Sequence, residues 1–566
     1  MPLTHTKQRT EAQSNLPAFR SAKPVHTNAR SPLARPRVPV ATRLAIRYGH
    51  FPMPRPSGSK PLIDTQVETE PPVTCRKQRT GLLSNRYKIE PAAFAVLLLL
   101  TSISLAAARA LAAGSARHLC DVGERCPCSQ FLAHSAAPAK SMAGMRHTSP
   151  DLAAMPGMNM NMTAHTSFID QTIGHASAGT SSEPGSTPHP MLMTHAGPWT
   201  LMFHGTAFVS AIQQTGPRGA DKVFSTSWLM PMAQRALGPG TLTARAMFSL
   251  EPATVTDRRY PELFQVGETA FGNPIVDGQH PHNFVMELAA LYDVKLGENA
   301  LLSFYAAPVG DPSIGPEAYP HRASAGEDPL ATLGHHLQDS THISDDVVTL
   351  GLTYKIARIE VSGFHGREPN ENRWTIGAGA IDSWSTRLTV HPAGNWSAQY
   401  SIARLHSPEQ LFPDEDTLRM TASIAYNQPF AGGAGNWASM LLWGRNEDLP
   451  GGEVFNSYLA ESTLKFARRN YAWTRIENVD RTNLLLLGEN PIPPGFEEHF
   501  LARVQAYTLG YDREFGFIPR VSSALGGQFT LYGAPAFLDS TYGSHPAGFL
   551  VFLRFRPALP ETLDQK

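Results

Sequence analysis

From Pro198 to Pro557 the chain repeats one pattern: runs of about ten residues in which apolar and polar side chains alternate, separated by turn residues. Successive side chains of a strand point to opposite faces, so each run reads as a strand with one apolar face. Trp396, Ala398, Tyr400 and Ile402 share one face, and Ser397, Gln399, Ser401 and Ala403 the other. Met420, Ala422, Ile424 and Tyr426 oppose Arg419, Thr421, Ser423 and Ala425. Tyr458, Ala460, Leu464 and Phe466 oppose Leu459, Glu461, Thr463 and Lys465, with Ser462 breaking the apolar side. Phe500, Ala502, Val504 and Ala506 oppose Leu501, Arg503, Gln505 and Tyr507, and the first set is read as the outward one. The strands are expected near 199–212, 222–232, 241–251, 284–294, 299–307, 346–355, 357–366, 382–391, 395–404, 417–427, 436–445, 456–466, 469–478, 500–512, 519–532 and 546–556.

A soluble sandwich or barrel hides its apolar faces; a membrane barrel turns them outward and keeps a polar interior. Three features favour the membrane. The polar faces carry Arg, Glu, Gln and Lys. Trp384, Trp396, Trp437, Trp443, Tyr458 and Tyr471 fall near strand ends, as in an interfacial girdle. The runs are near the length that crosses a bilayer obliquely, and no apolar run here is long enough for a membrane helix. The fold class expected over 198–557 is therefore all-β: a transmembrane antiparallel β-barrel of 14–16 strands, closed so that no edge faces lipid. The long connections Thr256–Pro281, Gly310–Asp345 and Asn478–Phe496 read as outward loops, and Pro392-Ala-Gly-Asn395 as a periplasmic turn. Gly548-Phe-Leu-Val-Phe-Leu-Arg-Phe-Arg556 resembles the closing strand of Gram-negative outer-membrane proteins, which the barrel assembly machinery reads. Such strands usually stop at the final Phe, whereas eleven residues follow Phe555, the last of them forming a tail, 558–566.

The net charge of zero hides an asymmetry. Residues 1–90 hold 16 Lys/Arg against 5 Asp/Glu; residues 114–566 hold 31 against 43. Residues 1–81 are Pro- and Arg-rich with no sustained period, which reads as a disordered extension. Residues 82–112 read as a signal peptide: Arg86 and Lys88, an apolar stretch Ala92–Ala108 centred on Leu97–Leu100, then Ala110-Leu111-Ala112 before cleavage. A start near Leu82 or Leu83 would place that signal at a terminus. Residues 113–197 are expected to be a disordered periplasmic segment ahead of an outer-membrane barrel.

That segment carries the chemistry. It holds eight of the 17 methionines, densest in Met155-Pro-Gly-Met158-Asn-Met160-Asn-Met162, with His147 and His165 close by. Its polar neighbours form no core for methionine to fill. Thioether sulfur selects Cu(I), and imidazole suits Cu(II), Zn and Ni. Cys126 and Cys128 in Cys126-Pro127-Cys128 are too close for an easy mutual disulfide; either could pair with Cys120 or serve a soft metal. Leader, Met/His tract and barrel together resemble the copper-resistance B type of outer-membrane protein. The resemblance implies binding or export of excess copper, with metal ions, outer-membrane lipid and a periplasmic metal carrier as partners. It implies no catalytic residues.

Within the barrel region, His280-Pro-His282 is a His-x-His pair that chelates when both rings meet one face. His321, His335-His336, Asp339 and His342 form a second cluster, and His365 with Arg367, Glu368, Glu371 and Arg373 a third. The full set of metal-ligand candidates is thus Met155, Met158, Met160, Met162, His147, His165, Cys126, Cys128, His280, His282, His335 and His336. No Cys follows Cys128, which excludes a multicopper oxidase. No Gly-x-Ser-x-Gly, P-loop or dinucleotide fingerprint occurs, and no nucleic-acid role is expected. A passive channel and a barrel hydrolase remain the alternatives; for the latter, Ser362 and His365 fall on opposite faces of one strand.

Overall fold

The computed structural model describes residues 167–340, 344–486, 501–518 and 521–557, all within the unit Thr101–Lys566. The extension 1–81, the signal segment 82–112, the tail 558–566 and the candidates Cys126, Cys128, His147, Met155, Met158, Met160, Met162 and His165 lie outside the described residues. Nineteen strands are described: β1 (Leu192–Ala196), β2 (Trp199–Gln214), β3 (Asp221–Leu237), β4 (Gly240–Phe248), β5 (Tyr260–Ala270), β6 (Asn273–Gln279), β7 (Val285–Lys295), β8 (Ala300–Val309), β9 (Ser344–Tyr354), β10 (Ala357–Gly366), β11 (Ser383–Ala393), β12 (Trp396–Leu405), β13 (Asp416–Phe430), β14 (Gly435–Leu449), β15 (Val454–Phe466), β16 (Asn470–Arg481), β17 (Ala502–Ile518), β18 (Val521–Gly533) and β19 (Ala547–Pro557). The short helices are α1 (Phe168–Gly174), α2 (Glu251–Thr254), α3 (His335–Gln338) and α4 (Asp539–Tyr542).

Sixteen of the strands form one antiparallel ring, β2-β3-β4-β7-β8-β9 and on through β19. It closes where β19 pairs β2, from Gly548↔Gln214 to Phe555↔Ala207. β19 leaves the first residues of β2 uncovered, and β1 takes up that edge, from Leu192↔Phe203 to Ala196↔Trp199. Closure satisfies the backbone without an open edge, which a hydrocarbon environment requires. All sixteen ring strands match the sixteen expected runs, because each run carries the period-2 alternation that its two environments impose. The extra strands β1, β5 and β6 were not expected.

The outward faces are apolar: Leu441 is 62% exposed, and Leu350, Ile359, Ile424, Leu509 and Val551 are comparably open. Trp396, Tyr426 and Trp437 pack tilted and edge-on in a row at one end of β12, β13 and β14, where an aromatic girdle belongs. Two details differ from expectation. Tyr471 is luminal, beneath the guanidinium groups of Arg554 and Arg556. On β17, Ala502, Val504 and Ala506 point inward and Tyr507 outward, as does Leu501 just before the strand. The reason is that the lumen at that point holds an apolar cluster, with Leu263 and Phe264 of β5 packed near Val504 and Tyr532.

The lumen is filled rather than wet. A ring of this size ordinarily leaves an aqueous channel, yet Arg245, Glu287, Arg358, Glu360, Glu461, Arg475, Asp512 and Arg554 on its inner wall are all buried. Three segments cover them. Residues 167–191, expected to be disordered, are ordered: Asn427 Nδ2 donates to the Ser186 carbonyl (2.7 Å), and Arg245 donates to the carbonyls of His175, Ser177 and Gly179. The connections Thr256–Pro281 and Gly310–Asp345, read as outward loops, fold inward over residues 256–281 and 310–340. The first contributes the β5–β6 hairpin. The second tracks across the inner wall: the Ser362 hydroxyl accepts from Ser313 N (2.9 Å), that of Ser401 from Gly315 N (2.8 Å), Arg322 pairs with Glu461 (2.8 Å) and Arg475 with Asp328 (3.0 Å). The charges of the polar strand faces pair with one another, as Arg245 does with Glu287 and Arg358 with Glu360, and with these segments.

Candidate metal centre in the lumen

Two of the inward segments meet at three histidines. β6 ends at Gln279, and Pro281, lacking an amide hydrogen, stops the ladder just beyond His280. The single turn α3 presents His335 and His336 from the other segment. His280 Nε2 lies 3.2 Å from His336 Nε2, and one nitrogen of each of His280, His335 and His336 falls within 4.8 Å of the others. All three rings are buried. Sequence reasoning named these residues from separate motifs; the fold brings them together across 56 residues of chain.

The surroundings orient the lone pairs. His335 Nδ1 donates to the Thr332 carbonyl (2.9 Å), and His280 Nδ1 faces the Pro281 carbonyl (3.3 Å). A donor at Nδ1 leaves Nε2 with the lone pair that can face an ion, the arrangement that outer hydrogen bonds produce around bound metals. Glu268 Oε1 is 3.2 Å from His280 Nε2, and the same carboxylate is held by Arg373, the one member of the third cluster to reach this place. Gln279 Nε2 stands 3.1 Å from His280 Nε2 and 3.4 Å from His335 Nε2, while its buried Oε1 has no hydrogen-bond partner. A half-turn of that amide, which preserves its shape, brings the oxygen among the imidazoles. Gly267, at φ +145°, is needed here: a Cβ would lie 2.9 Å from His336 Nε2. Three imidazoles with one carboxylate or amide oxygen suit a tetrahedral ion such as Zn(II).

The remaining candidates stand apart. His282 turns to Glu251, Nδ1 to Oε1 at 2.8 Å, with its backbone N–H on Oε2. Burial opposes its charge, but Glu251 outweighs burial and holds it above the ordinary histidine value. His321 packs against Trp228, ring centroids 4.1 Å apart. His365 faces the Ala380 carbonyl and Asp382, and Ser362 bonds Thr349 and Ser313, so the two make no hydrolase pair. Glu268, Gln279 and Gly267 were missed because they lie in a stretch read as an outward loop.

The inward segments are also latched to each other by carboxylates. Glu317 accepts from Ala178 N (2.8 Å) and from the Ser181 hydroxyl; Glu183 accepts from Ala323 N (2.8 Å). Burial first, and Glu317 second, push the Glu183 carboxyl up to about 8.

No family model and no curated protein matches the chain. Among solved structures it is similar to the loop-L8 deletion mutant of OmpT, an outer membrane protein of Vibrio cholerae (TM-score 0.37, 8% identity, 63% of this chain and 99% of that one). It is similar to OprB of Pseudomonas putida (TM-score 0.39, 9% identity, 64% and 94%) and to the outer membrane channel DcaP of Acinetobacter baumannii (TM-score 0.36, 10% identity, 64% and 99%).

Proposed function

We propose that the protein is an outer-membrane channel for small polar solutes or ions, closed at rest by its own inward-folded segments. The observation that carries this reading is the way the lumen is filled. The fillings are docked on the wall through ion pairs and hydrogen bonds to charged groups, which water can replace, beside apolar clusters such as the one that Leu263 and Phe264 join. A barrel built only for structure would have no use for a sixteen-stranded ring wide enough to conduct.

Planar-bilayer recording tests it. At neutral pH the conductance should be well below that of an open lumen, and it should rise with pH. The sign follows from Glu183. Its carboxyl is raised when docked, from an ordinary 4.5 to about 8, so the docked state holds the extra proton. Closure is favoured at low pH, weakens progressively between those two values, and has lost this contribution above the upper one. Glu183→Gln should flatten the rise. A barrel that stays silent at high pH and after the plug contacts are cut is not a channel.

A second reading has one specific observation in its favour. Three of the residues proposed as metal ligands, His280, His335 and His336, converge. On this reading the Met/His-rich tract ahead of the barrel collects copper or a related soft metal and passes it between a periplasmic carrier and the lumen. Full-length protein in which Met155, Met158, Met160 and Met162 become Leu should then lose Cu(I) equivalents relative to wild type. Equal binding removes this reading and leaves the channel.

A further inference from the structure

The luminal face of β2 and β3 gathers sulfur. In the antiparallel register Met202 lies opposite Met232, and His204 opposite Met230. All four point inward and are buried. Residues directly opposite on one face of a sheet have Cβ atoms about 5 Å apart, so the four side chains form a two-by-two patch. Met191, Met247 and Met286 pack onto it. Six of the nine methionines from Met191 onward therefore sit in one cluster.

Packing alone does not account for this composition. The neighbouring luminal cluster is filled by Phe208, Ile212, Phe224 and Leu550, the ordinary choice for apolar filling. Nor does packing account for His204. It is 7% exposed, and its Nε2 is buried without a hydrogen-bond partner. A polar atom in that position is costly unless something binds it. Its ring stands edge-on to Trp228, 5.2 Å between centroids, and Trp228 packs against the methionines.

We propose that this patch binds a soft monovalent cation, Cu(I) or Ag(I), through the thioethers of Met202, Met230 and Met232 and the imidazole of His204. Thioether sulfur prefers such ions over Zn(II), Mg(II) or Ca(II). The patch lies toward the short-turn end of the barrel, where residues 167–191 enter. It is a different site from the three histidines, with different softness, and it holds whether or not the lumen conducts.

The test uses Ag(I) as probe on the full-length protein in detergent, in a background where Met155, Met158, Met160 and Met162 are all Leu and Cys75, Cys120, Cys126 and Cys128 are all Ser, so that no thiolate competes for the ion. Tryptophan emission and bound equivalents are followed together. The parent should bind one Ag(I) with quenching that vanishes in Trp228→Phe. Met202→Leu/Met230→Leu/Met232→Leu should weaken that equivalent by about 100-fold or more, because even an outer-shell partner is worth about 10- to 100-fold. Leu for Met conserves volume, so the barrel should form. Should the triple variant not fold, His204→Phe is expected to weaken the same equivalent by at least about 10-fold. Unchanged affinity in whichever variant folds, or quenching that survives Trp228→Phe, overturns the proposal.

Discussion

Arg245→Leu is expected to open the lumen. Arg245 is buried on β4, and every arm of its guanidinium is used. Nε and Nη2 hold Glu287 at 2.6 and 2.8 Å, while the two Nη groups donate to the carbonyls of His175, Ser177 and Gly179. Glu287 also accepts from the Tyr305 hydroxyl (2.8 Å). Removing the arginine leaves a carboxylate and three carbonyls short of a donor in a dry place. Breaking a buried pair of this kind costs about 3–5 kcal/mol. The β4–β7 ladder is backbone-paired on both sides and has no need to give way. The segment 175–183 can relieve the strain by leaving and letting water reach Glu287. Conductance in planar bilayers should rise by about an order of magnitude or more, toward the open lumen of a sixteen-stranded ring. Added protease should then cut near Ser181. Arg245→Leu/Glu287→Leu removes both charges and should recover part of the closure, since a buried pair replaced by apolar groups is often neutral while the His175, Ser177 and Gly179 carbonyls still lack their donor. Wild-type conductance in the single variant would show that this segment does not close the barrel.

Far more of the ring was legible in the sequence than of what fills it. Every ring strand lies between lipid and lumen, so each writes its environment into the chain with period two, as Ser397, Gln399 and Ser401 do against Trp396 and Tyr400. The filling segments have no such contrast. Residues 310–340 are bounded by the wall on most sides and bond it through backbone groups and scattered Ser, Arg and Glu side chains, a composition that also describes a solvated loop. The β5–β6 hairpin is similarly opaque, because Leu263 and Phe264 meet Val504 and Tyr532 rather than solvent. The same gap reversed the reading of β17: Ala502, Val504 and Ala506 looked lipid-facing because an apolar occupant of the lumen was not foreseen. His280, His335 and His336 were recognisable singly as ligand types, but their meeting depends on two inward turns that no local pattern announces. The parity of Met202, His204, Met230 and Met232 was visible. Their register was not, since it follows from the six-residue connection between β2 and β3.

Zinc should hold the lumen shut, and His336→Ala should abolish the effect. His280 belongs to the connection that carries β5 and β6, and His335 and His336 to the one that crosses the inner wall, so an ion among them ties two fillings that are otherwise joined by weaker contacts. An ion that binds the closed state alone, supplied at about a hundred times its Kd, stabilises that state by about 2.7 kcal/mol, or about 100-fold in the opening equilibrium. Open probability in planar bilayers should fall by that factor on adding Zn(II) and recover with a chelator. His280→Ala, His335→Ala and His336→Ala should each remove the response, and so should Gly267→Ala, which keeps every histidine but presses a methyl against His336 Nε2. His545→Ala, in the connection between β18 and β19, should leave it intact. If the response persists in all three histidine variants, the ion acts elsewhere. If it is absent in wild type although one Zn(II) binds with loss on His336→Ala, the centre is real but does not gate. Gly267→Ala separates a geometric requirement from a merely electrostatic one, because it displaces one ring and the β5 backbone at φ +145° and alters no charge.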